Sequence, residues 1–313
     1  MTSLTDPGVI DALCERVVGR RRELEVLVAA LAADRHVLLE GPPGTGKSTI
    51  LREVAAAAGT GFVFVEGNAE LTPARLAGQF DPSRVLEDGY TPDVFVDGPL
   101  VEALRNGSLL YVEELNRVPE ETVNLLITVM SEGELTLPRL GTIPAATGFR
   151  LVAAMNPFDN IGTARVSGAV YDRMCRIAMG YQSLDDESDI VVRNTSNDDR
   201  ILRRRAVAVT RGTRTHPDVR VGSSVRGAID LVEVGHTLAA MRGTEVIDPA
   251  VGLDAALTSL SGRVRLHEGG SSSPESVISE LWEAVLAREK PASDADDPEG
   301  KAGAPGGATP ASP

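Results

Sequence analysis

The chain has 313 residues, of which 42% are hydrophobic and 24% charged, so it is long enough for a core domain and a smaller second one. Its formal net charge of −14 argues against a general nucleic-acid binder, because such proteins hold phosphates with an excess of Lys and Arg. No stretch reaches the apolar length of a membrane span, and acidic residues precede any basic cluster, so we expect neither a membrane span nor a secretory signal. The two cysteines, Cys14 and Cys175, lack C-x-x-C spacing and predict reduced thiols in a cytoplasmic protein.

The first predicted elements lead into a glycine-rich loop. Residues 1–17 are predicted to form an N-terminal cap, and a helix follows in which Leu24 and Leu31 belong to an apolar stripe with helical spacing. The apolar run His36–Glu40 predicts a strand. After it comes the loop at 41–49, GPPGTGKST, and then an alanine-rich stretch that predicts a helix. This strand–loop–helix order is the context in which the pattern G-x-x-x-x-G-K-[ST] binds phosphate.

Each part of the loop has its own role in the predicted phosphate site. Glycines allow backbone conformations that a Cβ forbids, so successive N–H groups can point at an anion, and the following helix adds its positive end. Lys47 is expected to reach the β- and γ-phosphates, and the Ser48 hydroxyl to bind Mg²⁺. The alternative is a glycine-rich turn whose lysine has no function. The predicted nucleotide-binding residues are Gly41, Pro42, Pro43, Gly44, Thr45, Gly46, Lys47, Ser48 and Thr49.

Strands and helices alternate after the loop, which predicts a parallel sheet within a core at residues 18–180. Residues 71–100 interrupt this pattern with many Pro and Gly residues and are predicted to be an insertion with function-bearing loops. Residues 134–149 show alternation followed by turn residues, as in a β-hairpin. The other predicted core elements are strands at 62–66, 108–112, 150–155 and 174–179, and helices at 120–132 and around 171–173.

The β-rich runs stop at Tyr181, and amphipathic helical segments follow. We therefore predict an α/β fold class, a P-loop core whose parallel sheet is flanked by helices, plus a small all-α C-terminal lid at 181–268. The lid helices are predicted within 186–211, 223–242 and 248–262. Beyond the lid we predict a linker at 269–275, a short helix at 276–290 that docks on the lid or on a partner, and a disordered tail at 291–313.

Polar side chains follow two of the predicted strands. Glu113 and Glu114 come directly after the strand at 108–112, and Asn156 follows the strand at 150–155. Carboxyl ends of parallel strands meet at one edge of a sheet, here beside the phosphate loop. There the first carboxylate can hold the Mg²⁺ shell, the second can act as general base toward water, and the amide can orient that water. The alternatives are a solvated acidic strand end and an Asn-Pro turn.

A series of motifs runs in order through the predicted core and lid. The stretches are Val18-Gly19-Arg20, the loop at 41–49, Gly98-Pro99-Leu100, residues 109–135, residues 151–157, Tyr171-Asp172-Arg173 and residues 222–228. In this order they resemble the MoxR family of AAA+ ATPases. The resemblance covers roughly residues 15–266.

The resemblance implies a role for each candidate residue. Glu113 and Glu114 stand where the family has an Asp-Glu Walker B pair, and Asn156 stands at sensor 1. Arg173 matches the arginine finger that reaches a neighbour's nucleotide, and Arg226 matches the sensor 2 arginine of the lid; arginine forks neutralise charge on the γ-phosphate. A finger that acts on a neighbour requires a homo-oligomer, for which the resemblance implies a ring of six. For both arginines the alternative is a surface salt bridge.

The family resemblance also implies an activity. Its members are chaperone-like motors, so we expect ATP and Mg²⁺ as cofactors and ATP hydrolysis that remodels or assembles a protein client. A partner with a von Willebrand factor A domain and metal-cofactor insertion are the family precedents. Residues 71–100 and 134–149 resemble family elements that face the pore or a client.

The chain departs from the family at two positions. Glu113 replaces the usual Asp, and Val225 replaces the usual Pro before Arg226, which can loosen the start of that helix. Neither departure removes a charged group that hydrolysis needs, so an ATP-driven remodelling enzyme remains the prediction. Because of Glu113, the alternative is a nucleotide-binding switch or scaffold with low turnover.

Two other classes of nucleotide-driven protein are disfavoured. A GTPase would carry a guanine-reading Asn-Lys-x-Asp motif, and no lysine occurs between residues 48 and 289. A DNA-dependent motor is disfavoured by the net charge, and the basic group Arg203–Arg205 is interpreted as a solvated helix face. We therefore predict no nucleic-acid partner.

Overall fold

A five-stranded parallel sheet forms the centre of the protein, in the strand order β2-β5-β8-β1-β9 defined below. The computed structural model describes residues 6–157, 166–196 and 198–289. Its strands are β1 (His36–Glu40), β2 (Phe62–Glu66), β3 (Gly78–Phe80), β4 (Phe95–Asp97), β5 (Leu109–Glu113), β6 (Glu134–Leu137), β7 (Gly141–Pro144), β8 (Arg150–Met155), β9 (Met174–Ala178), β10 (Val219–Val221) and β11 (Arg265–Leu266). Its helices are α1 (Pro7–Arg16), α2 (Arg21–Ala32), α3 (Lys47–Ala58), α4 (Pro73–Ala77), α5 (Pro82–Asp88), α6 (Pro99–Asn106), α7 (Glu120–Glu132), α8 (Gly168–Arg173), α9 (Leu184–Asn194), α10 (Arg200–Thr215), α11 (Val225–Arg242), α12 (Pro249–Leu260) and α13 (Pro274–Glu289).

Helices cover both faces of this sheet, which explains why its central strands are apolar runs without polar alternation. Successive side chains of β1 enter opposite layers because the strand period is two. Val37 and Leu39 pack with α1, α2 and α3, whereas Leu38 packs with α4, α6 and α7. The apolar stripe of α2 is fully buried in the first of these layers, with Leu24 and Leu27 at 0% exposure.

The register of the parallel strands sets the position of the site. Glu40, the last residue of β1, pairs with Met155 at the end of β8, and Glu66 of β2 pairs with Glu113 of β5. The loop after β1, the carboxylates after β5 and the amide after β8 therefore all emerge at one edge of the sheet.

Two small antiparallel pairs extend from the core. In the predicted insertion, β3 pairs with β4, and the neighbouring α5 buries none of its side chains, so that Leu86 is 88% exposed. In the segment predicted as a hairpin, β6 pairs with β7, and Leu135 and Ile143 face each other and join the core. In both segments the tips are exposed, while apolar side chains on the side facing the sheet domain pack into its hydrophobic core.

Helices α9 to α12 form a second hydrophobic core beside the sheet domain. Three of these helices begin with a side-chain cap: Ser183 and Asp186 form a capping box on α9, and Asp199 and Asp248 cap α10 and α12. The predicted fold class is confirmed, a parallel sheet flanked by helices with a C-terminal helical region. We call residues 184–266 the lid. Among the described residues, no helix combines the length and apolar character that a membrane crossing requires.

The structure differs from the prediction at three places. The lid, expected to be all-α, also contains an antiparallel ribbon of β10 and β11, which are too short to show a strand pattern. The helical segment 186–211 is two helices, separated by a break at Thr195. The N-terminal part contains two helices, α1 and α2, rather than a cap and one helix.

The last described helix, α13, packs on the lid. It begins at Pro274, inside the predicted linker. Ile278 and Trp282 are buried in the lid core, and the indole N–H of Trp282 donates to the carbonyl of Pro249. A Cβ at Gly252 of α12 would lie 2.1 Å from the indole ring, so this close approach requires glycine. The predicted tail at 291–313 lies outside the described residues.

Candidate nucleotide-binding site

The loop at 41–49 joins β1 to α3 with the geometry of an anion cradle. Gly44 and Gly46 have φ angles of +73° and +85°, values that favour glycine, and Gly46 is the N-cap of α3. A Cβ at Gly41 would lie 2.1 Å from the carbonyl oxygen of Met179 at the end of β9. The loop backbone is therefore pressed onto the strand ends, and the positive end of α3 lies next to it.

Lys47 lies within this loop and is 8% exposed. Its Nζ donates to the carbonyls of Gly41 and Pro42, each at 2.8 Å. Burial above all, helped by the nearby charges of Arg226 and Arg20 and opposed by Glu113, lowers the pKa of Lys47 to about 8. A buried ammonium with a lowered pKa is a group that gains from an added anion, as a phosphate-binding lysine should.

Ser48 and Glu113 meet directly across the loop. The Ser48 Oγ donates to Glu113 Oε1 at 3.0 Å and lies 3.3 Å from the hydroxyl of Tyr111. A hydroxyl and a carboxylate are the hard oxygen ligands that Mg²⁺ prefers, and the described residues hold no group of three His, Cys, Asp or Glu side chains suited to a metal. This donor set fits a Mg²⁺ ion that takes its other ligands from phosphates and water, and Glu113 reaches the position despite being longer than Asp.

Glu114 has a strained backbone. Its φ of +53° is in the left-handed region, which is unusual for a non-glycine residue and is found at functional sites. Its carboxylate pairs with Arg117 at 3.2 Å and is 40% exposed. Gly67 allows this turn, because a Cβ there would lie 2.6 Å from the carbonyl oxygens of both Glu113 and Glu114.

Asn156 and Arg226 both line a cavity of about 760 Å³ between the loop and the lid. Pro43 and Gly44 form its wall on the loop side, and a Cβ at Gly44 would lie 2.2 Å from the Oγ of Ser224. The lid therefore contacts the loop at the start of α11, where Arg226 is the second residue of the helix. The structure therefore brings the sensor 1 and sensor 2 candidates to one space beside the loop.

Arg173 is turned away from this cavity, onto the outer face of α7. Its Nε donates to the Oγ of Ser131 at 2.5 Å, and its Nη1 donates to the carbonyl of Ala169. The Ser131 hydroxyl in turn donates to the carbonyl of Ile127, so its lone pair is directed at the guanidinium. With a side chain 34% exposed, Arg173 is held in one direction at the surface.

Sequence reasoning missed the residue that holds the loop from behind. Arg20 is 3% exposed, and its Nη2 donates to the carbonyls of Thr45 and Gly180, at 2.9 and 2.6 Å. It also pairs with Glu23. A basic residue beside a glycine in a short motif was visible in the sequence, but the two carbonyls that it joins lie 25 and 160 residues away.

A second missed contact lies at the end of β1. Glu40 is 4% exposed and accepts a hydrogen bond of 2.7 Å from the hydroxyl of Tyr171 and another from Arg176. Burial and the bond to Glu40 raise the pKa of Tyr171 to about 12, so the hydroxyl remains a donor. No sequence pattern indicates this pairing.

Comparison with known families gives a match over residues 36–174, to the AAA domain of the dynein-related subfamily. The matched region begins at β1 and ends at the start of β9, and so contains the loop, both carboxylates, Asn156 and Arg173.

Two relatives extend the similarity beyond this region. The uncharacterised protein SH1500 of Staphylococcus haemolyticus is 30% identical over 207 residues, which cover 64% of this chain and 78% of that protein. The gas vesicle ATPase GvpN1 of Halobacterium salinarum is 29% identical over 250 residues, which cover 75% of this chain and 70% of that protein.

Among solved structures, the RuvB Holliday junction branch migration motor of Thermotoga maritima is similar with a TM-score of 0.52 and 17% identity, over 79% of this chain and 72% of that chain. At this identity the likeness concerns the fold, a core with a helical region beside it.

Proposed function

The chain belongs to the AAA+ ATPases, and from this premise we propose that it hydrolyses ATP at the loop 41–49 and uses the energy to remodel or assemble a protein client. The observation that carries the proposal is the contact between Ser48 and Glu113 inside a glycine cradle that also holds Lys47. Burial of an ammonium is unfavourable, as the lowered pKa of Lys47 shows, and a turn with only a structural role does not require it.

In this proposal each side chain has a distinct task. Lys47 binds the β- and γ-phosphates through its buried charge, and Ser48 and Glu113 hold Mg²⁺, which neutralises phosphate charge when bound. Glu114 accepts the proton of the attacking water. Asn156 orients that water, which must attack in line with the bond that breaks.

The arginines would complete the site from two directions. Arg226 lies in the first turn of the lid helix α11 and lines the cavity beside the loop, so it can neutralise γ-phosphate charge in the same subunit. Arg173 points outward, and we propose that it acts on the nucleotide of a neighbour in a homo-oligomer, with a ring of six as the proposed assembly. The bond to Ser131 supports this role because it directs the guanidinium while leaving Nη2 available.

The client is proposed from the family resemblance alone. A MoxR-like motor would act on a partner with a von Willebrand factor A domain, in metal-cofactor insertion or complex assembly. The exposed helix α5 and the hairpin of β6 and β7 are the surfaces we propose for client contact. Cys14 and Cys175 are free thiols, and a cytoplasmic location stays a prediction.

A switch or scaffold with low turnover is the second candidate. The pairing of Glu114 with Arg117 favours it, because a carboxylate engaged by a guanidinium is less available to an attacking water. The replacement of Asp by the longer Glu113 also favours low turnover, because it changes the position of the carboxylate that would hold Mg²⁺.

ATP turnover of the Glu114→Gln variant separates the two candidates. We expect kcat to fall about 100-fold, the typical contribution of a general base, while ATP binding is kept. Glu121→Gln, on the exposed first turn of α7, is the matched control and should keep the wild-type rate. A variant as active as wild type would remove Glu114 as the base, and a wild type without turnover would favour the switch.

The same variant tests the client. Glu114→Gln protein held in ATP should retain its partner during affinity isolation, since the cycle stops before release. A von Willebrand factor A protein enriched over the Lys47→Ala control would support the proposed partner class, and its absence from the captured set would contradict it.

A further inference from the structure

Arginine is concentrated in the cavity between the loop and the lid. The chain has 31 Lys and Arg against 45 Asp and Glu, yet none of the described residues that line this cavity is acidic. The lining arginines are Arg117, Arg220, Arg226, Arg263 and Arg265. Such a reversal of the overall charge balance in one cavity indicates an anionic ligand.

Two of these arginines are neutralised by neighbours and three are not. Arg117 pairs with Glu114, and Arg263 pairs with Asp230. Within residues 6–157, 166–196 and 198–289, Arg220, Arg226 and Arg265 have neither an ion pair nor a side-chain hydrogen bond. Like charges that share a cavity repel one another, so the arrangement gains stability when an anion enters.

Arg226 is proposed above to neutralise the γ-phosphate, but that role leaves the charges of Arg220 and Arg265 unaccounted for. Lys47 and Ser48 are not among the residues that line the cavity, whereas Asn156 and Gly44 are. The cavity extends from Pro43 and Gly44 of the loop to the ribbon of β10 and β11. In the proposed in-line displacement the phosphoryl group moves away from ADP, and a cavity that Asn156 lines beside the loop can receive it.

We propose that the cavity binds inorganic phosphate, the second product, with Arg220 and Arg265 of the ribbon as its ligands. This inference rests on the proposed hydrolysis: the water oxygen bonds to the γ-phosphorus, the bond to the ADP oxygen breaks, and the water proton passes to Glu114. The product is a dianion near neutral pH, and guanidinium forks bind such an oxyanion through paired hydrogen bonds. Phosphate retained there would delay the reset of the lid.

Direct binding tests the proposal without relying on turnover. Inorganic phosphate is titrated into the full chain with ADP and Mg²⁺, followed by ³¹P NMR line width at constant ionic strength, since screening alters such contacts. The Arg220→Ala/Arg265→Ala variant should bind phosphate at least tenfold more weakly than wild type. The Arg220→Lys/Arg265→Lys variant should be intermediate, because it keeps charge and loses the fork.

The control is Arg200→Ala/Arg204→Ala, which removes two charges from the same lid at a different cavity and should bind phosphate like wild type. Equal phosphate binding by wild type and the ribbon variant, or an equal loss in the control, would overturn the proposal. A ribbon variant that changes oligomeric state while phosphate binding persists would also overturn it and assign the ribbon to contact between copies. If wild type hydrolyses ATP and the Arg220→Ala/Arg265→Ala variant binds phosphate as tightly as wild type, only this inference is refuted. If phosphate binding depends on these two arginines but wild type does not hydrolyse ATP, only the proposed function is refuted.

Discussion

The candidate site has a core side and a lid side, here called the core wall and the lid wall, and the two are built in different ways. The core wall consists of buried groups that already have partners: Lys47 donates to two loop carbonyls, and Arg20 joins the loop to the end of β9. The lid wall carries exposed arginines, of which Arg220, Arg226 and Arg265 have neither an ion pair nor a side-chain hydrogen bond within the described residues. The core wall is thus preorganised for one ligand, while the lid wall supplies charges that have no such partners.

The largest effect should come from the core wall. Replacing Lys47 by Ala removes a buried charge that would make charge-assisted bonds to phosphate, so ATP affinity should fall about 100-fold. Binding is measured with a fluorescent ATP analogue. Arg52→Ala removes a cation from the same helix, where it stacks on Phe62 and Phe64, and should keep the affinity. Equal losses in both variants would mean that general charge, rather than the cradle, holds the nucleotide.

Two substitutions compare an arginine that holds the loop in place, Arg20, with one that supplies charge to the site, Arg226. Arg20→Ala removes buried hydrogen bonds from two carbonyls, so it should lower Tm by several degrees and raise KM for ATP. Arg226→Ala should leave Tm unchanged, since the side chain is exposed, and lower kcat about tenfold, a typical effect of one lost contact to transition-state charge. Thermal melts and steady-state kinetics measure both, with the exposed Arg22→Ala as control. A Tm loss in Arg226→Ala as large as in Arg20→Ala would contradict the distinction between the walls.

The smallest effect concerns pH. Because burial lowers the pKa of Lys47 to about 8 and bound phosphate favours the charged form, ATP binding at pH 9 should take up a proton, and binding at pH 7 should not. Calorimetry in buffers of different ionisation enthalpy measures this uptake. Proton uptake that persists in Lys47→Ala would assign the uptake to another group.

The lowered pKa of Lys47 also affects the stability of the fold. The unfolded chain binds more protons than the folded chain between pH 8 and 10.5, so the contribution of Lys47 to the free energy of unfolding rises with pH in that window.

The core wall was largely readable from the sequence, and the reason is local. The strand–loop–helix order at 36–58 and the apolar run before Glu113 depend on neighbours in the chain, so periodicity and glycine spacing predict them. The contacts of Arg20, the pairing of Arg173 with Ser131 and the short ribbon of β10 and β11 depend on partners brought together by folding. Three-residue strands carry too few alternations to be recognised, and the partner of a single arginine leaves no pattern.

The bond between Tyr171 and Glu40 has a consequence for a ring of identical subunits. Glu40 directly precedes the phosphate loop, and Tyr171 lies two residues before Arg173 on α8. The bond therefore links the residue just before the phosphate loop to the helix that carries Arg173, without involving the lid. If Arg173 serves the next subunit as proposed, a shift of the loop on nucleotide binding would be coupled through Glu40 and Tyr171 to the arginine that reaches the neighbour, and each subunit would signal to one neighbour only.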